Sequence, residues 1–207
     1  AATLKAGREK SLLRRHPWVF ASAVERVDSS PVQGGTVLLR SAEGKVLGTA
    51  AWNPESRIAL RVWDFAERAI DADFFRGRLA RALALRASLR RVGPVDAERL
   101  VHAESDGLPG ITVDRYGAVL VLACTSAGAA LHREAIADAL VEVTGVQSVF
   151  ERSDGDAVEL EGLGPRLGPL RGAPGDSVVV SEHGLRYRID LRNGHKTGWY
   201  LDQRDNR

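Results

Sequence analysis

The chain has 207 residues, 44% of them hydrophobic and 27% charged, and a formal net charge of +2. This length allows one or two domains with buried cores. The nearly balanced charge excludes a uniformly basic surface, so any contact with nucleic acid has to come from a local cluster. One cysteine excludes an internal disulfide, and no apolar run is long enough to span a membrane. We therefore expect a cytoplasmic protein with no membrane partner.

The clearest cluster of charge lies at the N-terminus. Residues 1–15 contain a single acid, Glu9, and five basic side chains, Lys5, Arg8, Lys10, Arg14 and Arg15. The pattern predicts a short helix that ends before Pro17, because the residue before a proline avoids helical backbone. We interpret the five cations as a patch that contacts phosphates, and a solvated helix face is the alternative.

Short strands with tight turns follow the basic segment. Trp18 and Phe20 have the spacing of inward residues on a first strand, although an aromatic side chain beside basic residues could also stack on a base. The segments 36–40 and 45–52, joined by a tight turn, predict a β-hairpin, and 58–63 alternates like another strand. Several short strands within this length predict a small β-barrel.

The strand pattern gives way to a helix near residue 71. Asp71 is the predicted N-cap, and one stripe of the helix is apolar, at Phe75, Leu79, Ala82, Leu83 and Leu89. The opposite half of the helical wheel has four arginines, Arg76, Arg78, Arg81 and Arg91. We interpret them as a solvated face, since they spread over a wide arc instead of lining a groove. Gly93 and Pro94 predict the end of the helix.

A β-meander is predicted between residues 100 and 124, where apolar runs alternate with glycine-containing turns. Glu104 and Asp106 lie near each other in one of these turns. Because no third ligand has convincing spacing, we predict hydrogen bonds within the turn instead of a metal site. Cys124 ends an apolar run, which favours a buried core thiol over a nucleophile.

A second helix is predicted to begin at its N-cap Ser126 and to continue through Val143, with Gly145 as C-cap. Residues 146–152 then return as a strand, and this strand-helix-strand order predicts α/β structure for the central segment. The Gly/Pro-rich stretch that ends at Gly175 is predicted to be a loop. The chain as a whole is therefore expected to belong to the α+β class.

The densest polar chemistry lies in the last residues, 193–207, which follow a predicted hairpin at 178–191. Two glycines, Gly194 and Gly198, allow backbone conformations and close approaches that other residues would forbid. The pattern predicts a ligand loop that leads into a helix. His195 stands where a Walker A loop requires glycine, which disfavours that type of phosphate loop. The sequence ends inside this polar run, so we expect the N-terminal portion of a longer protein.

Four separated motifs carry a resemblance to a known family. They occupy residues 5–20, 104–117, 151–163 and 194–204, and the last, Gly-His-Lys-Thr-Gly-Trp-Tyr-Leu-Asp-Gln-Arg, is the most diagnostic. Together they resemble the bacterial 23S ribosomal RNA cytosine-5 methyltransferases. The resemblance implies a PUA-like RNA-binding domain at 1–68, a central α/β domain with β-hairpins at 69–177, and at 178–207 the hairpin and start of a Rossmann-type methyltransferase domain whose remainder is absent.

The same resemblance implies ribosomal RNA as partner, contacted by the N-terminal cations, and S-adenosylmethionine as cofactor of the complete protein, with an incomplete site in this chain. The cofactor-side residues that it implies are Lys196, Thr197, Gly198, Tyr200, Leu201, Asp202, Gln203 and Arg204. It implies no catalytic residue and no metal ligand here, and Cys124 does not correspond to the family's nucleophile. A homodimer stays open as a further assembly.

Two other classes of protein stay open at this point. A stand-alone, non-catalytic RNA-binding module would use the same basic patch without a methyltransferase domain. A nucleotide-binding enzyme would use the loop at 195–197 and predicts nucleotide affinity in this chain.

Overall fold

The computed structural model describes residues 1–89 and 95–207, so Arg91, Gly93 and Pro94 of the predicted helix end lie outside the described residues. The described part contains two large sheets and a separate two-stranded hairpin. None of the helices in this part is both long and apolar enough to cross a membrane.

Six strands form the first sheet: β1 (Ala2–Leu4), β2 (Trp18–Val19), β3 (Val24–Val27), β4 (Thr36–Arg40), β5 (Val46–Trp52) and β6 (Leu60–Asp64). Their order is β2-β6-β5-β4-β1-β3, and all neighbours are antiparallel except β1 and β4. A one-turn helix, α1 (Lys10–Leu13), lies within the predicted N-terminal helix. The predicted hairpin and the strand after it are confirmed as β4, β5 and β6. The predicted small barrel is a sheet with two edges, β2 and β3.

The first strand differs from the prediction. It is β1, whose side chains are buried, whereas Trp18 opens β2 and is only partly buried. Val19 takes the core position in β2, and Phe20 is 50% exposed. The inward assignment of Trp18 and Phe20 was therefore wrong. The physical reason is that the indole N–H of Trp18 donates to Glu104 Oε1 at 2.8 Å, outside the core of this sheet.

Five strands form the second sheet: β7 (Ala97–His102), β8 (Ile111–Tyr116), β9 (Val119–Cys124), β10 (Ser148–Ser153) and β11 (Arg166–Arg171). Their order is β11-β10-β9-β8-β7, with β9 and β10 parallel and the other pairs antiparallel. This confirms the predicted meander and the strand-helix-strand order. The loop prediction for the Gly/Pro-rich stretch was wrong at β11, because an edge strand tolerates Pro169, which has no N–H to donate.

The helices of the second half are α2 (Ala72–Leu89), α3 (Ala127–Leu131), α4 (Arg133–Thr144) and α5 (Asp156–Glu159). Asp71 caps α2 as predicted, since its Oδ1 accepts a hydrogen bond from the Phe74 amide at 3.0 Å. Leu89, predicted on the buried stripe, is 66% exposed, because the last turn of α2 extends beyond the core. The predicted helix after Ser126 is divided at His132 into α3 and α4.

The first sheet has a core of its own and also contributes two residues to the core of the second sheet. Ala51 of β5 and Trp63 of β6 belong to the hydrophobic cluster of the second sheet, where Trp63 packs edge-on against Phe74 and Phe75 of α2. Gly128 of α3 makes this approach possible. A Cβ added there would lie 2.5 Å from the Ala51 Cβ and 2.8 Å from Trp63 Cζ2.

The predicted C-terminal hairpin is confirmed as β12 (Ser177–Glu182) and β13 (Leu185–Asp190). Val180 and Ile189 of the hairpin form a small core with Tyr116 of β8 and Phe150 of β10. The predicted ligand loop follows, and its helix is a short 3₁₀ helix over Leu201–Asn206. This docking places the loop at the β7–β8 side of the second sheet.

Candidate functional site

A chain of buried hydrogen bonds fixes the loop at 193–200 to the second sheet. The Thr197 hydroxyl donates to Asp114 of β8, whose side chain is 0% exposed. Arg99 of β7 makes a two-pronged contact with the same carboxylate, from Nε to Oδ1 and from Nη2 to Oδ2, both at 2.8 Å. A carboxylate that is buried so completely needs a paired cation and full hydrogen bonding, and this pair supplies both.

Tyr116 completes the chain of hydrogen bonds. Its hydroxyl lies 2.9 Å from the Thr197 Oγ1. Because the Thr197 proton is directed to Asp114, Tyr116 is the donor in this contact. Burial, followed by the negative charge of Asp114, raises the pKa of Tyr116 to about 12, so the phenol keeps its proton at neutral pH. The loop is thus held by hydrogen bonds to a protonated phenol and to a buried carboxylate that is paired with Arg99.

The glycines of the loop are required by close backbone contacts. A Cβ at Gly194 would lie 2.4 Å from the carbonyl oxygens of Asp190 and Gly198. Gly198 has a φ of 142°, and a Cβ there would lie 2.8 Å from Ile189 Cγ2. The loop closes through a hydrogen bond from the Gly198 amide to the His195 carbonyl at 2.8 Å. These contacts leave Lys196 exposed at the tip, with a φ of 57°.

An open pocket of about 1130 Å³ lies next to this loop. Six of the eight predicted cofactor-side residues line it: Lys196, Tyr200, Leu201, Asp202, Gln203 and Arg204. The other two, Thr197 and Gly198, are buried and lie behind it as supports. Arg99 and Trp199 also line the pocket and were not among the predicted residues. The sequence around Arg99 does not indicate a role in the site, because that role depends on its pairing with Asp114 on the neighbouring strand.

Aromatic side chains and ion pairs order the pocket's C-terminal wall. The Trp199 ring lies 4.9 Å from that of Tyr187, and the Arg207 guanidinium lies 3.7 Å from the Trp199 ring centroid. Arg207 also makes two hydrogen bonds to the Glu182 carboxylate, at 2.7 and 3.0 Å. Tyr187 and Arg207 therefore support Trp199 from behind, and Trp199 is an apolar part of a lining that also has polar side chains, which suits a ligand with both apolar and polar parts.

The loop is a poor candidate for a nucleotide-phosphate site. The Thr197 hydroxyl, which such a loop would direct to a metal ion or phosphate, is buried and bonded to Asp114 and Tyr116. Among the described residues, no group of three or more His, Cys, Asp or Glu side chains could hold a metal ion. The hydroxyl that a nucleotide-binding loop would need is therefore already used inside the protein, which argues against the nucleotide-binding alternative.

The five predicted phosphate-contacting residues are all exposed on the first sheet and its α1 segment: Lys5, Arg8, Lys10, Arg14 and Arg15. No ion pair of the described residues involves any of them. Lys5 Nζ donates to the Ser22 carbonyl at 2.9 Å, and the Arg15 guanidinium lies 5.0 Å from the Phe65 ring centroid. The patch therefore presents uncompensated positive charge to solvent. Trp18 is less available to stack on a base, because Arg61 lies over its ring.

The charged residues of two motifs form a contact between the two sheets. Arg61 of β6 donates to Glu104 at 3.0 Å and to Glu161 at 2.9 Å. Glu161 also accepts from Ser56 at 2.8 Å and from Asn53 at 3.0 Å. We call Arg61, Glu104 and Glu161 the intersheet cluster. Glu104 therefore binds across to the first sheet and not within its own turn, so that part of the prediction was wrong.

Asp106 behaves as predicted for a turn residue. It accepts the amide hydrogen of His102 at 2.6 Å and makes two hydrogen bonds with Arg86. Cys124 is also where the sequence indicated, at 1% exposure in the core. Burial raises the pKa of its thiol well above the ordinary range, so it remains protonated and unreactive at neutral pH.

The chain belongs to the class of proteins that join a PUA-like domain, here the first sheet, to a second unit of mixed α/β structure. Residues 2–65 match the family of the PUA-like domain. Two solved structures share the fold along 99% of this chain, and both belong to putative methyltransferases. One is complexed with SAH (TM-score 0.80, 19% identity, 51% of that chain), and the other comes from Streptococcus mutans (TM-score 0.76, 20% identity, 52% of that chain).

Curated proteins with higher identity bear a more particular name, ribosomal RNA large subunit methyltransferase I. The protein of Shewanella amazonensis is 50% identical over 206 residues, which are 99% of this chain and 52% of that protein. The protein of Aeromonas salmonicida is 48% identical over 206 residues, with the same two shares. The chain thus spans about half the length of the curated relatives that it matches.

Proposed function

We propose that this chain is the N-terminal, RNA-binding portion of an S-adenosylmethionine-dependent methyltransferase that acts on cytosine C5 of large-subunit ribosomal RNA. The observation that carries the proposal is the patch of five exposed, unpaired cations on the PUA-like fold. The 50% sequence identity with a ribosomal RNA large subunit methyltransferase I supports ribosomal RNA as the substrate. We divide the chain into an RNA-binding domain at 1–68, a central domain at 69–177 and the start of a methyltransferase domain at 178–207.

The basic patch supports RNA binding through phosphates. Lysine and arginine side chains that replace condensed counterions on a phosphate backbone give an affinity that falls steeply with salt. Such contacts position the RNA without reading its sequence. Phe20, exposed beside the patch, offers in addition a ring on which an unpaired base could stack.

The pocket beside the 193–207 segment fits part of S-adenosylmethionine. The ring of Tyr200 suits adenine, the carboxylate of Asp202 suits hydroxyl or ammonium donors, and Lys196 and Arg204 suit a carboxylate. When bound, the cofactor supplies an electrophilic methyl group. The chain's own residues would orient the cofactor, since the loop that carries them is fixed by Thr197, which donates to Asp114 and accepts from Tyr116.

Methylation at cytosine C5 requires a nucleophile that adds to C6 and a base that removes the C5 proton. Cys124 does not meet this requirement, because it is buried and its pKa is raised by burial. We therefore propose no catalytic residue within this chain and assign it to recognition and to one wall of the cofactor site.

The RNA-binding part is tested with the Arg14→Gln/Arg15→Gln variant and a fluorescein-labelled RNA hairpin, followed by anisotropy at several salt concentrations. Each phosphate contact contributes about one to the slope of log K against log[salt], so we expect the slope to fall by about two. The matched control is Arg166→Gln/Arg186→Gln, which removes two exposed arginines on β11 and β13, outside the first sheet. If the two variants bind alike at every salt concentration, the patch does not bind RNA.

The cofactor part is tested by calorimetric titration of the chain with S-adenosylmethionine and, separately, with ATP. We expect weak binding of S-adenosylmethionine at most, because the chain supplies only one wall of the site, and no binding of ATP. Tight ATP binding that is lost in Lys196→Ala would replace this proposal with a nucleotide-binding enzyme.

A further inference from the structure

A second basic surface lies on α2, facing the turn that follows β7. A pocket of about 220 Å³ separates the helix from this turn. Arg78 and Arg81 line the helical side, and Ser105 and Gly107 line the other. Gly107 has a φ of 69°, and a Cβ there would lie 3.1 Å from Arg78 Nη1, so the glycine lets the guanidinium lie against the turn. The motif at 104–107 therefore forms one wall of a basic cleft.

The charge in this cleft is only partly neutralised. Asp106 is occupied by its two hydrogen bonds with Arg86. Arg78 pairs with Asp64 at 2.9 Å through Nη2, but its Nε is buried and has no hydrogen-bond partner among the described residues. Arg81 is exposed and makes no ion pair within the described part of the chain. The guanidinium of Arg81 thus stays available to an anion in the cleft, next to the partly neutralised charge of Arg78.

A series of side-chain contacts links the N-terminal patch to the cleft. Arg15 lies over the ring of Phe65, and the preceding residue, Asp64, contacts both Arg68 and Arg78. Arg68 and Arg78 also lie over the ring of Phe74, at 5.5 and 5.3 Å from its centroid. An unbroken series of contacts therefore leads from the patch on the first sheet to the cleft on the second unit.

The arginines of α2 do not all share this environment. Arg76 forms ion pairs with Asp73 and with Glu142 of α4, so it belongs to a compensated surface on the other side. The sequence interpretation of a solvated face holds for Arg76. It also fits the exposed Arg81, whereas Arg78 is partly buried, and these two arginines line one cleft because the turn at 103–107 packs beside them.

We propose that Arg78, Arg81 and Ser105 bind a phosphate group of the RNA, as a second anchor beyond the PUA-like domain. The inference rests on the proposed function and extends it, since RNA bound at the N-terminal patch would continue across Asp64 and Phe65 onto α2. Guanidinium and hydroxyl donors are the groups that contact phosphate oxygens in protein–RNA complexes. The second anchor fixes the direction of the RNA on the protein, which one patch alone cannot do.

The test uses Arg81→Gln in the full chain, with the same RNA hairpin and the same salt series. Arg81 is exposed and has no ion pair with any described residue, so we expect its replacement to leave the fold intact. We expect an affinity lowered by roughly three- to tenfold at low salt and a salt slope reduced by about one. Arg166→Gln, an exposed arginine on β11 at the opposite edge of the sheet, serves as control and should leave both quantities unchanged. The triple variant Arg14→Gln/Arg15→Gln/Arg81→Gln should reduce the slope by about three.

The outcomes separate this inference from the proposed function. If wild type binds RNA and Arg14→Gln/Arg15→Gln weakens it but Arg81→Gln does not, the second anchor is refuted and the proposed function stands. If wild type binds no RNA, both fail. Inorganic phosphate is tested in parallel by thermal unfolding. Stabilisation of wild type but not of Arg81→Gln by phosphate, with unchanged RNA binding, would assign the cleft to a free anion and overturn the RNA anchor.

Discussion

At the scale of single residues, the C-terminal loop is organised by one threonine. Thr197 joins a buried carboxylate to a buried phenol, and each of these groups loses a partner if the hydroxyl is removed. Removing one partner of a buried hydrogen bond costs about 1–3 kcal/mol, because the remaining group keeps its desolvation penalty. The position of the loop thus depends on a side chain that does not face the pocket.

We therefore expect Thr197→Val to lower the free energy of unfolding by about 1–3 kcal/mol, measured by urea denaturation. The matched control is Thr112→Val on the same strand as Asp114. Thr112 is partly exposed, and we expect a change within about 0.5 kcal/mol. Equal stabilities of the two variants would show that the hydrogen bonds of Thr197 contribute nothing measurable.

At the scale of elements, the close packing of α3 against β5 and β6 determines how the two sheets meet. Gly128 lies against Ala51 and Trp63 with no room for a methyl group, whereas Gly77, on the exposed face of α2, has no atom within 4 Å of an added Cβ. The same substitution should therefore have opposite effects at two helical glycines.

We expect Gly128→Ala to destabilise the protein by about 1–3 kcal/mol, since overpacking forces the sheets apart. Gly77→Ala should stabilise it by about 0.5–1 kcal/mol, because alanine has the higher helix propensity and the site is open. Thermal unfolding of both variants, followed by circular dichroism, measures the difference. A neutral Gly128→Ala would mean that the contact between the sheets is loose.

The same scale shows how much the sequence could predict. The hairpins β4–β5 and β12–β13 were predictable, because alternation and glycine turns are local signals. The pairing of Arg61 with Glu161 was not, since 100 residues separate the two and nothing near either side chain specifies the other. Leu89 has the spacing of the apolar stripe of its helix but is exposed, because spacing along a helix does not show where the core ends. Only the residues of the pocket from the 196–204 segment were predicted. Arg99, on the other side of the pocket, is brought there by strand pairing, which the local sequence does not specify.

At the scale of the whole molecule, the intersheet cluster links folding to pH. Burial acts to raise the pKa of Glu161, but the hydrogen bond and charge of Arg61, with the hydrogen bonds of Ser56 and Asn53, outweigh it and hold the pKa below its ordinary value. As the pH falls, the unfolded chain therefore takes up this proton first. The carboxylate contributes stability above the ordinary glutamate pKa, and this contribution is lost as the pH falls through the lower pKa of the folded protein.

We expect the free energy of unfolding of wild type to fall as the pH drops below about 5, through the ordinary glutamate pKa and then the lower pKa of folded Glu161. Glu161→Gln should be less stable at neutral pH but should lose stability less steeply on acidification. Glutamine keeps one acceptor for Arg61, so the variant retains its fold while losing the titrating group. Urea denaturation at a series of pH values measures both slopes. The control is Glu159→Gln, an exposed neighbour that has no ion pair within the described residues. If Glu161→Gln and Glu159→Gln lose stability in parallel on acidification, the junction between the sheets does not depend on the charge of Glu161.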